Sequence, residues 1–181
     1  MTVLMTSFVS GVSVVWDREF GFLKEVLVAP ISRVAVAAGK TLGGATIALI
    51  QGIVILLFAP VFGIMLSPGI LPRLLPVMFL VACALSAMGI FLASRIKSME
   101  AHQAVMQLLV FPMVFLSGVF FPVNNVPLWM NILVRINPAT YGIDPIRQLV
   151  LGTQPASSLG ITIWGHTMSV GEDLMVVAAF G

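Results

Sequence analysis

The sequence predicts an all-α fold, a polytopic bundle of transmembrane helices. Hydrophobic residues make up 59% of the 181 residues and charged residues only 9%, whereas a soluble domain carries about 25% charged residues. Long uncharged runs lie between small charged clusters, which is typical of membrane spans. These runs are continuous rather than alternating, so they favour helices over the strands of a membrane barrel.

The first apolar run covers residues 1–15 and is shorter than the roughly 20 residues that a crossing needs. It lacks a basic start, and the charged cluster Asp17-Arg18-Glu19 follows it without a small-residue cleavage pattern. A secretory signal peptide has both a basic start and such a cleavage pattern. We therefore interpret residues 1–15 as part of a crossing helix.

A short amphipathic helix is predicted next, at the membrane interface. Phe20, Leu23 and Leu27 recur at helical spacing. Pro30 ends this helix because its ring cannot continue the hydrogen-bond ladder, and Ser32 can cap the helix that follows. A plain interfacial connector is the alternative interpretation.

Three further runs, 41–66, 74–94 and 101–121, are long and apolar enough to cross a membrane. Small residues spaced four apart in the first of them allow close approach of a neighbouring helix. Basic patches precede the first crossing and follow the second, which places both patches on the cytoplasmic side. The residues of these patches are Arg18, Lys24, Arg33 and Lys40, then Arg95 and Lys97.

Residues 122–152 are too rich in proline and charge to cross, yet too apolar for a solvated loop. We predict a re-entrant external helical pair, or lid, broken at Asn137-Pro138. Asp144 and Arg147 are three residues apart and can pair on its wetter side. Residues 172–181 begin a last, partial crossing whose acidic start suits the helix dipole. We expect one transmembrane domain over 1–181 that is truncated at both ends.

Long polar side chains are scarce in and beside the predicted crossings. Gln51 can line a transport path or hydrogen-bond a neighbouring helix, and we favour the helix contact. Glu100, Gln103 and Gln107 form one stripe of one helix. This stripe can line a transport path or join helices, and both interpretations remain open.

No catalytic constellation is present in the sequence. It contains no glycine loop of the G-x-x-x-x-G-K type, so the chain is not expected to hydrolyse ATP. His102 and His166 lack metal-ligand spacing, which predicts no metal site. The basic residues flank apolar runs, so membrane orientation explains them better than nucleic-acid binding. Cys83 is the single cysteine, so no intrachain disulfide forms.

Four motifs in order carry a family resemblance. They are Phe115-Leu-Ser-Gly-Val-Phe-Phe-Pro122, Pro127-Leu-Trp129, Asn137-Pro-Ala-Thr-Tyr141, and Asp144 with Arg147. Together they resemble the membrane subunits of ABC exporters of the second type, whose members export drugs, polysaccharides and lipid-linked molecules. The stretch from Arg18 to Arg33 resembles the cytoplasmic segment that meets the ATPase in that family.

This resemblance implies a multi-pass permease subunit of the plasma (inner) membrane that forms the path of an ATP-driven exporter. Its implied partners are two copies of an ABC ATPase subunit, a second permease copy or homologue, and the lipid bilayer. ATP and Mg²⁺ bind that ATPase, so this chain is expected to hold no cofactor. Import instead of export, an ion-coupled secondary carrier, a channel and a non-transporting membrane scaffold are the alternatives. A carrier would need a titratable group near mid-membrane, and 41–66, 74–94 and 103–121 contain none.

The resemblance also implies roles for individual residues. Those expected to couple to the ATPase are Arg18, Glu19, Phe20, Gly21, Glu25, Pro30 and Arg33. Those expected to form the external gate are Ser117, Gly118, Pro122, Trp129, Asn137, Pro138, Tyr141, Asp144 and Arg147.

Overall fold

The computed structural model describes residues 1–21, 32–63, 69–117, 127–151, 162–163 and 166–180. Within these residues the fold is helical apart from one pair of two-residue antiparallel strands. This confirms the predicted all-α membrane bundle. The elements are α1 (Thr2–Val9), α2 (Val12–Glu19), α3 (Arg33–Phe58), a 3-10 turn (Ala59–Phe62), α4 (Leu71–Arg95), α5 (Met99–Leu116), α6 (Leu128–Ile136), α7 (Pro138–Leu151), β1 (Thr162–Ile163), β2 (His166–Thr167) and α8 (Val170–Phe180).

Three of these helices are long and apolar enough to cross a membrane: α3 with its 3-10 extension to Val61, then α4 and α5. They correspond to the three predicted crossings, with different ends. The first begins eight residues earlier than predicted, at Arg33, because the Ser32 side chain accepts a hydrogen bond from Ala35 N and caps the helix there. The capping role predicted for Ser32 is confirmed.

Helix α4 is the centre of the bundle. Half of its apolar stretch is buried, against 22% for α3 and 17% for α5. Helices α1, α2, α3, α7 and α8 all pack against it. Its buried residues Val77, Val81 and Leu85 form one core with Leu4 of α1 and with residues of α6, α7 and α8. The outer faces of α3 and α5 carry exposed apolar side chains, as expected for helices that meet lipid.

Glycines let α1 and α2 lie directly on α4. A Cβ on Gly89 would lie 2.1 Å from the Phe8 carbonyl oxygen, and one on Gly11 would lie 2.3 Å from the Gly89 oxygen. A Cβ on Gly44 of α3 would lie 2.6 Å from the Ser10 side chain. The predicted row Gly44, Ala48 and Gly52 is buried and is therefore an interface. Gly39, by contrast, has no atom within 4 Å of its Cβ position, so it serves no such contact among the described residues.

The predicted interfacial amphipathic helix falls mostly on residues 22–31, which lie outside the described residues. The helix before it extends further than the sequence indicated. Helix α2 runs to Glu19, so Asp17, Arg18 and Glu19 are its last turn rather than the start of the next element.

Candidate functional site

The basic end of the bundle is the end at which α2 and α4 finish and α3 and α5 begin. Arg18 of α2 donates from its guanidinium to the Ile96 carbonyl at 2.8 Å and to the Ser94 carbonyl at 2.9 Å. It thereby satisfies acceptors that the end of α4 leaves without a helical partner. Glu19 accepts from Met99 N at 3.1 Å, at the start of α5, where a carboxylate also suits the helix dipole.

The same last turn of α2 also binds α3. Asp17 forms an ion pair and hydrogen bond with Lys40, and both side chains are only about a fifth exposed. Three consecutive charged residues of α2 therefore tie it to the ends of three spanning helices. The described members of both predicted basic patches lie at this end, as they must if the patches share a side of the membrane; Lys24 is outside the described residues.

The five predicted coupling residues that the structure describes divide into two groups. Arg18 and Glu19 are engaged within the chain, a role that sequence reasoning missed because their partners lie 76 to 80 residues away. Phe20 is 81% exposed, Gly21 has a φ of 77° that favours glycine, and Arg33 is exposed at the start of α3. Glu25 and Pro30 lie outside the described residues.

At the opposite end, the N-P-x-T-Y motif caps α5. The Asn137 side chain donates to the Met113 carbonyl at 2.7 Å, and Thr140 donates to the Leu116 carbonyl at 3.4 Å. Ser117, which is 2% exposed, donates to the Val114 carbonyl at 2.6 Å. These side chains donate to three of the last four carbonyl groups of α5, which lack a partner of the regular helical kind; the Val114 carbonyl also accepts from Ser117 N at 3.3 Å.

The break at Asn137-Pro138 is confirmed and explained by the same side chain. Asn137 Oδ1 accepts from Ala139 N at 3.1 Å, so Asn137 is the N-cap of α7 and Pro138 its first residue. Tyr141 donates to the Arg135 carbonyl at 2.7 Å, which links α7 to α6. Burial raises the pKa of the Tyr141 hydroxyl, so it remains a donor.

The remaining gate residues are dispersed. Trp129 is 65% exposed on α6, as suits an aromatic side chain at the membrane interface. Gly118 and Pro122 lie outside the described residues. Arg147 is half-buried on α7 and borders a groove of about 390 Å³ between α7, α1 and α3, whose other lining is mostly apolar.

Asp144 corrects one prediction. It was expected on the wetter side of its helix, but it is only 3% exposed and accepts a hydrogen bond from Gln148 Nε2 at 3.1 Å. The reason is that α8 covers this face of α7 and places Asp173 against it. The sequence assigned Asp173 to the dipole of α8, and its burial could not be inferred without the packing partner.

The polar stripe faces outward. Glu100, Gln103 and Gln107 are all exposed, and none hydrogen-bonds another described residue, so the stripe does not join α5 to a neighbouring helix in this part of the chain. Gln51 does make the interhelical contact expected of it, because Thr6 of α1 donates to its Oε1. The described residues contain no group of three side chains able to hold a metal ion.

Known proteins that are similar to this chain are named as transport permeases. Over nearly its whole length (99%) the chain is 30% identical to a putative transport permease, ycf38, of Cyanophora paradoxa, and covers 63% of that protein. It is 26% identical to the probable multidrug ABC transporter permease YbhR of Escherichia coli K12, with 91% of this chain and 45% of that protein aligned. It is also 26% identical to the probable doxorubicin resistance permease DrrC of Mycobacterium tuberculosis H37Rv, with 82% of this chain and 54% of that protein aligned.

The chain thus spans about half to two thirds of the length of these relatives. No solved structure matches it. The family model for ABC-2 type transporters matches residues 1–151, a range that contains both the charged last turn of α2 and the motif that caps α5. The chain belongs to the ABC-2 type transporter family of membrane permeases.

Proposed function

We propose that this chain is the membrane-spanning permease subunit of an ATP-driven ABC exporter of the plasma (inner) membrane. A separate ATPase subunit, present in two copies, would bind at the basic end of the bundle, and a second permease copy or homologue would complete the path. The observation that carries this proposal is the exposed Phe20, which directly follows a turn tied to three spanning helices.

The connection between Phe20 and the spans is short. The preceding residue, Glu19, holds the first backbone N–H of α5, and Arg18 holds the end of α4. A displacement of Phe20 therefore moves the ends of two spanning helices together, and the pair of Asp17 with Lys40 adds α3. This is the arrangement that mechanical coupling to a partner requires.

Phe20 and Arg33 are suited to contact a partner. An aromatic side chain that is 81% exposed at the end of a membrane bundle is a candidate binding anchor. Arg33 adds a fixed positive charge, which gives orientation and register more than affinity. Among the described residues, Arg33 makes no side-chain hydrogen bond or ion pair and Phe20 has no polar group to engage, so both remain available to a partner.

The stripe of Glu100, Gln103 and Gln107 supports a path framed by two subunits. Polar side chains on an exposed face of a spanning helix are unfavourable against lipid. A water-filled path or a polar partner surface removes that cost. Since the stripe begins at the basic end of α5, it is placed to line the entrance of a path from that side.

The test uses the natural full-length protein reconstituted with its ATPase partner in proteoliposomes. We expect Phe20→Ala to weaken ATPase binding about tenfold or more, as loss of an aromatic anchor does, and Arg33→Glu to lower substrate-stimulated ATP hydrolysis. Both variants should keep the wild-type thermal stability. Phe58→Ala, at the exposed opposite end of α3, is the matched control. Normal ATPase binding and stimulation in both variants would show that this end is not the docking site.

A further inference from the structure

His102 of α5 is a buried polar residue that the proposed function does not use. Its side chain is only 1% exposed, and neither ring nitrogen, Nδ1 or Nε2, has a hydrogen-bond partner among the described residues. A neutral imidazole carries one donor and one acceptor, whichever nitrogen holds the proton. Both capacities are therefore unmet, whereas buried polar groups in native structures are almost always hydrogen-bonded.

The position of His102 along the interface follows from the register of α1 and α2 against α5. At one end Glu19 accepts from Met99 N, and further along Val9 and Met106 line the same groove. These segments therefore run antiparallel to α5. His102 lies between Met99 and Met106 in sequence, so it is placed at the level of α2, which packs on α5.

The side chains at this level are apolar. Met99 packs on a buried cluster, and His102 follows Met99 by three residues, on the same face of α5. The members of that cluster, two from α2 and two from α4, are Val14, Val15, Ile90 and Ala93. None of them has a polar side chain, so the packed interface gives the imidazole nothing to bind.

The charged last turn of α2 does not supply a partner either. Asp17 pairs with α3, Arg18 donates two hydrogen bonds to the end of α4, and Glu19 accepts one from the start of α5. In the part of the chain that the structure describes, α2 is thus tied to α5 by a single polar contact. Separation of α2 from α5 breaks fewer polar contacts than separation of α2 from α4.

We propose that the contact between α2 and α5 has two states, packed and open, and that the unmet hydrogen bonds of His102 favour the open state. When the two helices separate at the basic end, water reaches both ring nitrogens and removes the cost of burying them without partners. His102 thereby keeps the two states close in free energy, so that a modest force on α2 shifts the balance between them. The existence of two states is independent of the proposed function; their use in coupling rests on it, because the ATPase would act on α2 through Phe20.

The first measurement is the distance between α2 and α5 in the full-length permease alone, in lipid nanodiscs. Spin labels are placed at two exposed positions, as Trp16→Cys on α2 and Ala104→Cys on α5, in a Cys83→Ala background. Pulsed electron paramagnetic resonance should resolve two distances in the protein with His102 intact. A single distance overturns the proposal, and this outcome needs no variant at position 102.

Two substitutions then test the role of the imidazole. His102→Met removes both polar groups but keeps a flexible side chain of similar size, and should lower the ratio of open to packed protein about fivefold or more. His102→Gln keeps a donor and an acceptor and is the matched control, so it should retain both populations. Equal ratios in the methionine and glutamine variants overturn the proposal.

Thermal unfolding gives an independent readout. The midpoint of His102→Met should rise by about 2–6 °C, because the packed state no longer buries an unpaired donor and acceptor, whereas that of His102→Gln should not rise. A methionine variant no more stable than the glutamine variant contradicts the proposal. Both measurements use the permease without its ATPase, so they can fail while Phe20 binds the ATPase and succeed while it does not.

Discussion

Replacing Asn137 with Ala tests how the external helices are attached to α5. The change removes two hydrogen bonds of a side chain that is 6% exposed: the one donated to the Met113 carbonyl and the one accepted from Ala139 N. Loss of an N-cap costs about 1 kcal/mol. A buried carbonyl left without its donor costs about 1–3 kcal/mol more. Hydrogen bonds in membrane proteins lie near the low end of such ranges, so we expect a total of roughly 2–3 kcal/mol.

A second variant separates the two contributions. Asn137→Ser keeps a side chain that caps α7 but is too short to reach the Met113 carbonyl, so it should lose only about 1–2 kcal/mol. Asn131→Ala is the matched control because Asn131 lies on α6 and its side chain makes no hydrogen bond with a described residue. That change should stay within about 0.5 kcal/mol.

The assay is reversible denaturant unfolding of the full-length protein in mixed micelles or bicelles, followed by circular dichroism. The expected order of stability is wild type and Asn131→Ala together, then Asn137→Ser, then Asn137→Ala. Equal stability of the Asn131 and Asn137 alanine variants would refute the cross-helix cap. Equal loss in the serine and alanine variants would refute the division between the Met113 bond and the cap.

Two further predictions concern packing and the basic end. Gly89→Ala should lower the free energy of unfolding by about 1–3 kcal/mol or prevent folding, because its Cβ would lie 2.1 Å from the Phe8 carbonyl oxygen. Gly39→Ala has open space around it and should stabilise α3 by about 0.5–1 kcal/mol. The same shift of the thermal unfolding midpoint in both variants would contradict the close contact. Arg18→Gln should lower the free energy of unfolding by about 1 kcal/mol, since it removes two charge-assisted hydrogen bonds to the end of α4 in a partly exposed setting. The control Arg73→Gln, at the exposed far end of α4, should have no measurable effect on stability.

The parts of the fold that the sequence predicted are those governed by local chemistry. The three spans follow from runs without charge, because a helix in lipid must be apolar along its length. Ser32 and the Asn137-Pro138 break follow from capping and proline geometry, which depend on a few adjacent residues. Even there the start of α3 was placed late, since the charged residues Arg33 and Lys40 were assigned to the interface although the helix includes them.

The parts that were not predicted depend on partners far along the chain. Arg18 and Glu19 meet residues of the α4–α5 junction, 76 to 80 positions away. Asp144 was placed on a wetter face from its spacing with Arg147, but α8 covers that face. One local signal was available and not used: Ser169 and Glu172 have the spacing of a capping box. Because Glu172 supplies the acidic cap of α8, Asp173 is not needed for that role and can be buried.

The most direct test of the account is a cross-linking measurement on the assembled complex. A cysteine at position 20, introduced as Phe20→Cys in a Cys83→Ala background, is treated with a short cysteine-reactive cross-linker in native membranes that contain the ATPase partner. A second cysteine at position 73, introduced as Arg73→Cys, reports the opposite end of α4. The account predicts a cross-link to the ATPase from position 20 and none from position 73, and a cross-link from position 73 alone would contradict it.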